Sequence, residues 1–166
     1  MLGAMLIRDA DLEDWPAIWS FFQPIASAGE TYCYDRDITS DEALRVWFLE
    51  PPGRTVVAVD ADHIVLGTAK MYRNQAGPGA HVASASFMVD PRRSGQGVGR
   101  TLGAYVLDWA RSEGFRAMQF NAVVETNTRA VALWRSLGFG VLTTVPEGFC
   151  HPEFGYVGLH IMHRRL

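Results

Sequence analysis

The 166-residue sequence has little positive charge, few cysteines and no long apolar run. Its 15 basic residues are outnumbered by 18 acidic ones and include a single lysine, Lys70, which argues against a surface that follows a nucleic-acid backbone. Two cysteines, Cys33 and Cys150, are too few for a disulfide framework and predict free thiols in a cytoplasmic protein. No apolar stretch approaches the roughly 20 residues that cross a bilayer, so no membrane span is expected.

The composition is that of a folded protein. Residues 1–7 are apolar but have no basic leader, so we expect no signal peptide. With 48% hydrophobic and 11% aromatic residues, the chain has enough apolar material to form a core. Its length favours a single domain over residues 1–166.

The first third of the sequence predicts one strand and two helices. A strand over residues 6–8 precedes a helix with apolar residues at helical spacing, and residues 23–38 form a long connection. Thr39 and Glu42 predict a capping box at the start of the second helix. The residues expected to face inward on this helix are Leu44, Val46, Trp47 and Phe48.

The remaining sequence predicts an α/β (α+β) fold with a mixed sheet of about seven strands and four helices in all. Strands over 55–60, 64–72 and 81–89 form an antiparallel meander. A helix beginning at Val98 connects the strand over 81–89 to one over 118–124, which should therefore run parallel to it. The last predicted elements are a helix over 127–137 and strands over 139–145 and 156–163, joined by a loop over 146–155.

A glycine-rich segment, Ser94-Gly95-Gln96-Gly97-Val98-Gly99, lies between a predicted strand and a predicted helix. Backbone N–H groups and the helix dipole bind anions at such a position, and glycine lets a phosphate approach the main chain. Arg92, Arg93 and Arg100 flank the segment and can pair with a phosphate. The spacing matches neither a dinucleotide fingerprint nor a Walker A loop. It predicts a phosphate-bearing ligand, with a plain glycine-rich turn as the alternative.

Two blocks together resemble the GNAT family of N-acetyltransferases. The first is Val89-Asp90-Pro91 with the glycine-rich segment, and the second, beginning at Asn127, reads N-x-x-A-x-x-L-W-x-x-x-G-F. The resemblance is strongest to the branch of phosphinothricin acetyltransferases and amino-acid N-acyltransferases, which share a Gly-Phe-x-His run like that ending at His151. It implies a GNAT-like acyl-CoA N-acyltransferase fold. The implied reaction moves the acetyl group of acetyl-CoA to a primary amine of a small molecule by direct attack in a ternary complex, without a metal.

The resemblance also implies where acetyl-CoA binds. The cosubstrate would lie between the strands over 81–89 and 118–124, with main-chain groups holding its pantetheine arm and the glycine-rich segment holding its pyrophosphate. Trp134 stands where many family members have a tyrosine that protonates the leaving sulfur, and packing on the sheet is its alternative role. The residues assigned to the cosubstrate are Phe87, Met88, Val89, Ser94, Gly95, Gln96, Gly97, Val98, Gly99, Arg100, Asn127 and Trp134.

The general base is expected outside the strand over 81–89, which has no Asp or Glu. His151, Glu30 and Glu125 are the catalytic candidates, although each has a structural alternative as a loop residue or helix-end cap. The residues predicted to bind the acceptor are Thr31, Tyr32, Tyr34 and Phe149.

Two other functions stay open at this point. Loss of the acid tyrosine and of a strand carboxylate is consistent with a non-catalytic acyl-CoA-binding sensor. Acetylation of protein N-termini or lysines would need an open groove, whereas two long aromatic loops favour a closed pocket. The resemblance further implies a homodimer formed through the C-terminal strands.

Overall fold

A mixed sheet forms the centre of the protein, whose computed structural model describes residues 5–166. Its strands are β1 (Leu6–Asp9), β2 (Arg54–Val59), β3 (Val65–Arg73), β4 (Val82–Val89), β5 (Ala117–Val124), β6 (Gly140–His151) and β7 (Gly155–Arg165). These seven strands lie in the order β1-β2-β3-β4-β5-β7-β6. All neighbouring pairs are antiparallel except β4 and β5, which are parallel. The predicted meander and crossover are confirmed.

Four α-helices cover the two faces of this sheet within the described residues. They are α1 (Trp15–Ala28), α2 (Ser40–Trp47), α3 (Val98–Ser112) and α4 (Thr128–Ser136). Successive residues of β2 show how the faces divide, because Val56 packs in the cluster of α3 and α4, and Val57 packs in the cluster of α1 and α2. The sheet therefore has a core on each side, and the inner strands β2, β3 and β4 are buried on both faces along most of their length.

Helix α1 is longer than predicted. The connection expected over 23–38 is wrong in its first part, because the helix continues to Ala28 with Pro24 inside it. Phe21, Phe22 and Ala26 are buried, and this packing outweighs the hydrogen bond that proline cannot donate.

Helix α2 begins at the predicted capping box. The Glu42 N–H donates to Thr39 Oγ1 at 3.3 Å, and the Thr39 N–H donates to Glu42 Oε2 at 2.9 Å. The inward orientation predicted for Val46 is wrong, since its side chain is 40% exposed. Ala43 and Trp47, four residues apart, form the buried face instead.

Strands β6 and β7 form a longer hairpin than predicted. The loop expected over 146–155 is wrong, because β6 continues to His151 and pairs with β7 up to Gly155. Pro146 and Gly148 fall where the pairing register shifts, between Val145 and Phe149. A proline and a glycine at such an irregularity fit an edge strand, which β6 is.

None of the helices within residues 5–166 combines the length and the apolar character that crossing a bilayer requires. The prediction that no signal peptide is present depends largely on residues 1–4, which lie outside the described residues.

Candidate active site

The two parallel strands β4 and β5 separate soon after they begin. They pair at Val82–Ala117 and Ala83–Met118 and not beyond. On its other side, β4 forms hydrogen bonds with β3 through Asn74 N–H to Val82 O at 2.8 Å and Asp90 N–H to Leu66 O at 3.0 Å. This separation of β4 and β5 is called the strand gap below.

The register of β4 determines which of its main-chain groups face the strand gap. Hydrogen-bonded pairs alternate along an antiparallel ladder, so Ser84, Ser86 and Met88 bond to β3. The N–H and C=O groups of the intervening residues, including Phe87 and Val89, point into the gap. This supports the predicted main-chain contacts for Phe87 and Val89. The same contact predicted for Met88 is wrong, because its main-chain groups face β3.

The strand gap opens into a cavity of about 180 Å³. It brings together five of the residues predicted for the site: Thr31, Tyr32, Phe87, Asn127 and Trp134. Its other lining residues are Tyr72, Ser84, Ala85, Ser86, Phe120, Asn121, Ala122, Val123, Val124 and Ala130.

The cavity has an aromatic side and a polar side. On the side of α3 and α4, the Trp134 ring lies 4.7 Å from Phe87 and 4.8 Å from Phe120, measured between ring centroids. Trp134 thus both packs in the core and lines the cavity. The side facing α1 and α2 carries Tyr72, Ser84, Ser86 and Asn121 beside the loop residues Thr31 and Tyr32.

The glycine-rich turn lies directly after β4 and leads into α3. Gly95 and Gly97 have φ values of 81° and 79°, the left-handed region that favours glycine, and Gly97 is the N-cap of α3. No atom lies within 4 Å of the position that a Cβ would occupy at either residue. The turn therefore presents open main chain at the start of a 15-residue helix, a geometry suited to an anion.

Two of the three flanking arginines already have partners. Arg92 donates from Nε to Asp90 Oδ1 at 2.9 Å, and Arg100 donates to Ser136 Oγ at 2.7 Å. The hydrogen bonds from Arg92 hold the pKa of the buried Asp90 carboxyl below its usual value. The Arg92 N–H also donates to Asp90 Oδ1, at 3.0 Å. The Asp90 carboxylate therefore holds both the side chain and the backbone of Arg92 just before the turn.

The model of the acetyltransferase (GNAT) family matches residues 13–139. The chain belongs to the GNAT family. It is an acetyl-CoA-dependent N-acetyltransferase, which confirms the predicted fold, family and reaction class.

Three relatives show how close the similarity is. A GCN5-related N-acetyltransferase from Kribbella flavida is 62% identical, with a TM-score of 0.95 over 98% of each chain. The acetyltransferase yncA of Salmonella typhimurium, solved with its cofactor acetyl-CoA, is 26% identical, with a TM-score of 0.80 over 99% of this chain and 95% of that one. An L-methionine sulfoximine/L-methionine sulfone acetyltransferase of Salmonella typhimurium is 27% identical over 146 residues, which are 86% of this chain and 84% of that protein.

In this acetyltransferase, the Tyr32 hydroxyl donates a hydrogen bond to the Phe87 carbonyl. Its ring lies 6.1 Å from that of Tyr34, in the core of α1 and α2. Burial, together with the neighbouring Tyr34, raises the pKa of Tyr32 well above its ordinary value, so the hydroxyl keeps its proton. Because the Phe87 carbonyl points into the strand gap, the Tyr32 hydroxyl lies there too.

The three predicted bases lie outside the cavity lining. His151 is buried at the end of β6, where its Nδ1 accepts hydrogen bonds from the N–H groups of Glu153 at 3.1 Å and Phe154 at 3.3 Å. Glu125 accepts a hydrogen bond from the Gly158 N–H at 2.6 Å. Glu30 is exposed and directly precedes the lining residue Thr31.

Two predicted substrate residues also lie outside the lining of the cavity. Phe149 packs in a small cluster with Val124 and Val157. Tyr34 packs against Phe22, with 5.2 Å between the ring centroids. Both therefore act in core packing.

The strand residues on the polar side of the cavity, Tyr72, Ser84, Ser86 and Asn121, are not among the residues predicted for the site. Ser84 and Ser86 alternate with apolar residues along β4, and Asn121 interrupts the apolar run of β5. The Asn121 side chain donates to Asn74 Oδ1 at 2.7 Å. These interruptions were the available signal. Within residues 5–166, no cluster of three or more His, Cys, Asp or Glu side chains is placed to hold a metal ion.

Proposed function

We propose that this acetyltransferase acetylates the primary amine of a small molecule, an amino acid or an amino-acid analogue. The observation that carries this proposal is the strand gap, which joins a small cavity to the glycine-rich turn. The pantetheine arm of acetyl-CoA would lie along the free main-chain groups of Phe87 and Val89, and its diphosphate would bind the N–H groups between Ser94 and Arg100. Asn127 and Trp134 would border the arm from α4.

The lining of the cavity supports a small, neutral acceptor group. Among the described residues, none of those lining the cavity carries a charged side chain. Transfer of an ammonium group into such surroundings is costly, so the amine enters in its neutral form. The cavity of about 180 Å³ must also admit the acyl end of the pantetheine arm, which leaves room for a small amine-bearing head group. The similarity to an acetyltransferase of methionine sulfoximine supports an amino-acid analogue.

Proton removal from the amine is assigned to Glu30, acting through water at the mouth of the cavity. Glu30 is exposed, and its neighbour Thr31 lines the cavity. His151 and Glu125 are the alternative bases, but a nitrogen of one and an oxygen of the other already accept main-chain hydrogen bonds.

A steady-state screen with acetyl-CoA tests both assignments. Amino acids, their sulfone and sulfoximine analogues, polyamines and short peptides serve as acceptors, and the release of free thiol is measured. We expect turnover with an amino acid or analogue, and we expect Glu30→Gln to lower kcat/KM about 10- to 100-fold. Glu113→Gln, an exposed carboxylate at the far end of α3, is the matched control and should leave the rate unchanged.

The outcomes of this screen are distinct. A loss confined to His151→Asn or Glu125→Gln would assign the base to that residue. Activity on peptides alone would favour a protein acetyltransferase, and CoA binding without turnover of any amine would favour a sensor.

A homodimer is the proposed assembly, formed through the hairpin of β6 and β7. Leu142 is 63% exposed and Tyr156 is 70% exposed, although both are large and lie on this hairpin beside the open edge of β6. Sedimentation velocity should give about twice the 18.4 kDa mass of one chain, and Leu142→Glu should give single chains. A wild-type monomer would contradict this assembly.

The exposed free thiols of Cys33 and Cys150 support the expected cytoplasmic location.

A further inference from the structure

A hydrogen-bond donor inside the strand gap would stabilise the leaving sulfur of the thioester. As the C–S bond breaks, negative charge develops on the sulfur, and donors fixed at that position stabilise it strongly in a site without bulk water. Trp134, which replaces the acid tyrosine of many family members, is held between Phe87, Phe120 and Phe139.

Two amide side chains that line the cavity already have hydrogen-bond partners. Asn127 Oδ1 accepts a hydrogen bond from the Ala130 N–H at the start of α4, and the Asn121 amide is bonded to Asn74. Ser84 and Ser86 line the cavity from the face of β4 that also carries Met88, whose side chain packs in the core of α1 and α2.

Tyr32 differs because its hydroxyl is already in the strand gap. Its ring packs with α1 and α2, while its oxygen bonds to the Phe87 carbonyl, which the register of β4 directs toward β5. An extended pantetheine arm that donates a hydrogen bond to the Phe87 carbonyl would displace the Tyr32 hydroxyl. The hydroxyl would then lie next to the acyl end of the arm.

We propose that the Tyr32 hydroxyl is the catalytic hydrogen-bond donor to the sulfur of acetyl-CoA as it leaves. This inference rests on the proposed function. The amine nitrogen forms the bond to the acetyl carbon, and the C–S bond breaks with its electron pair on sulfur. The nitrogen becomes positively charged as it bonds to carbon and gives its proton through water to Glu30, and the sulfur leaves as a thiolate that solvent then protonates. Tyr32 stays protonated throughout.

Tyr32→Phe removes only the oxygen and tests this role. We expect kcat to fall about 10- to 100-fold, with KM for acetyl-CoA and Kd for CoA changed by less than about threefold. Tyr105→Phe is the matched control, since the Tyr105 hydroxyl is on α3 and accepts a hydrogen bond from Arg54 at 3.3 Å. That variant should keep wild-type kcat.

A selenoester analogue of acetyl-CoA separates a catalytic from a structural role. A selenolate is a better leaving group than a thiolate and needs less stabilisation, so the ratio of wild-type to Tyr32→Phe kcat should shrink toward one. If Tyr32→Phe keeps kcat within twofold of wild type, or loses the same factor with the thioester and with the selenoester, the role of Tyr32 is overturned and the proposed function is not. Failure of the wild type to turn over any amine would overturn the proposed function and this inference together.

Discussion

Gly97→Val is expected to weaken CoA binding at least about 100-fold, or roughly 2.7 kcal/mol, while the protein stays folded. Gly97 has φ of 79° at the N-cap of α3, and the position of its missing Cβ is open space. A valine side chain would fill the space in which the diphosphate must meet the main chain. Its β-branch would also pull the backbone out of the left-handed region and turn N–H groups away. Titration calorimetry with CoA measures the effect.

Gly114→Val is the control for backbone strain. Gly114 follows α3 at its other end, has φ of 80°, and also has no atom within 4 Å of a Cβ position. Both variants should lose at least about 1–2 kcal/mol of folding free energy through the left-handed conformation. CoA affinity should fall in Gly97→Val only. Equal affinities in the two variants would show that the turn does not contact the ligand.

Trp47→Ala is expected to lower the free energy of unfolding by about 4 kcal/mol. The Trp47 side chain is fully buried between α2 and the sheet, 5.6 Å from Phe22 between ring centroids. Its indole N–H donates to Thr68 Oγ1 at 3.1 Å, and that hydroxyl donates to Val56 O at 2.8 Å. Alanine leaves a cavity and removes a hydrogen-bond donor. In a chain of this size, the melting temperature should fall roughly 8–16 °C.

Val46→Ala provides the comparison on the same helix. Val46 precedes Trp47 but is 40% exposed, so its truncation should change stability by less than about 0.5 kcal/mol. Urea unfolding of both variants gives the two free energies. Equal losses would contradict the assignment of Ala43 and Trp47 to the buried face of α2.

The elements that could be predicted from sequence are those with a local physical cause. The capping box of Thr39 and Glu42 requires only neighbouring side chains and the adjacent backbone, and the crossover from β4 to β5 follows from chain connectivity and handedness. The predicted elements are wrong where packing between distant parts of the chain determines the structure. Pro24 lies inside α1 because buried residues on both sides of it pack the helix against the sheet. The sheet is formed by other parts of the chain, so the local sequence of α1 does not reveal this packing.

The candidate site divides in the same way. The glycine-rich turn is local, and it was predicted with its anion-binding geometry. The strand gap depends on the point at which β4 and β5 stop pairing, which no residue pattern specifies. For that reason the sequence does not reveal that the main chain of Met88 faces β3, or that His151, Glu30 and Glu125 lie outside the cavity lining. Ser84 and Ser86 are a weak signal, because short polar residues in a strand are usually solvated or hydrogen-bonded.

The central claim is that the main-chain N–H groups between Ser94 and Arg100 bind the diphosphate of CoA. Calorimetric titration of the wild-type protein with CoA, and separately with pantetheine, tests it most directly, because pantetheine lacks the diphosphate. We predict saturable binding of one CoA per chain with a rise in melting temperature, and an affinity for pantetheine at least about tenfold weaker. A folded protein that releases no heat with CoA and keeps its melting temperature, or that binds both ligands equally, would contradict the claim.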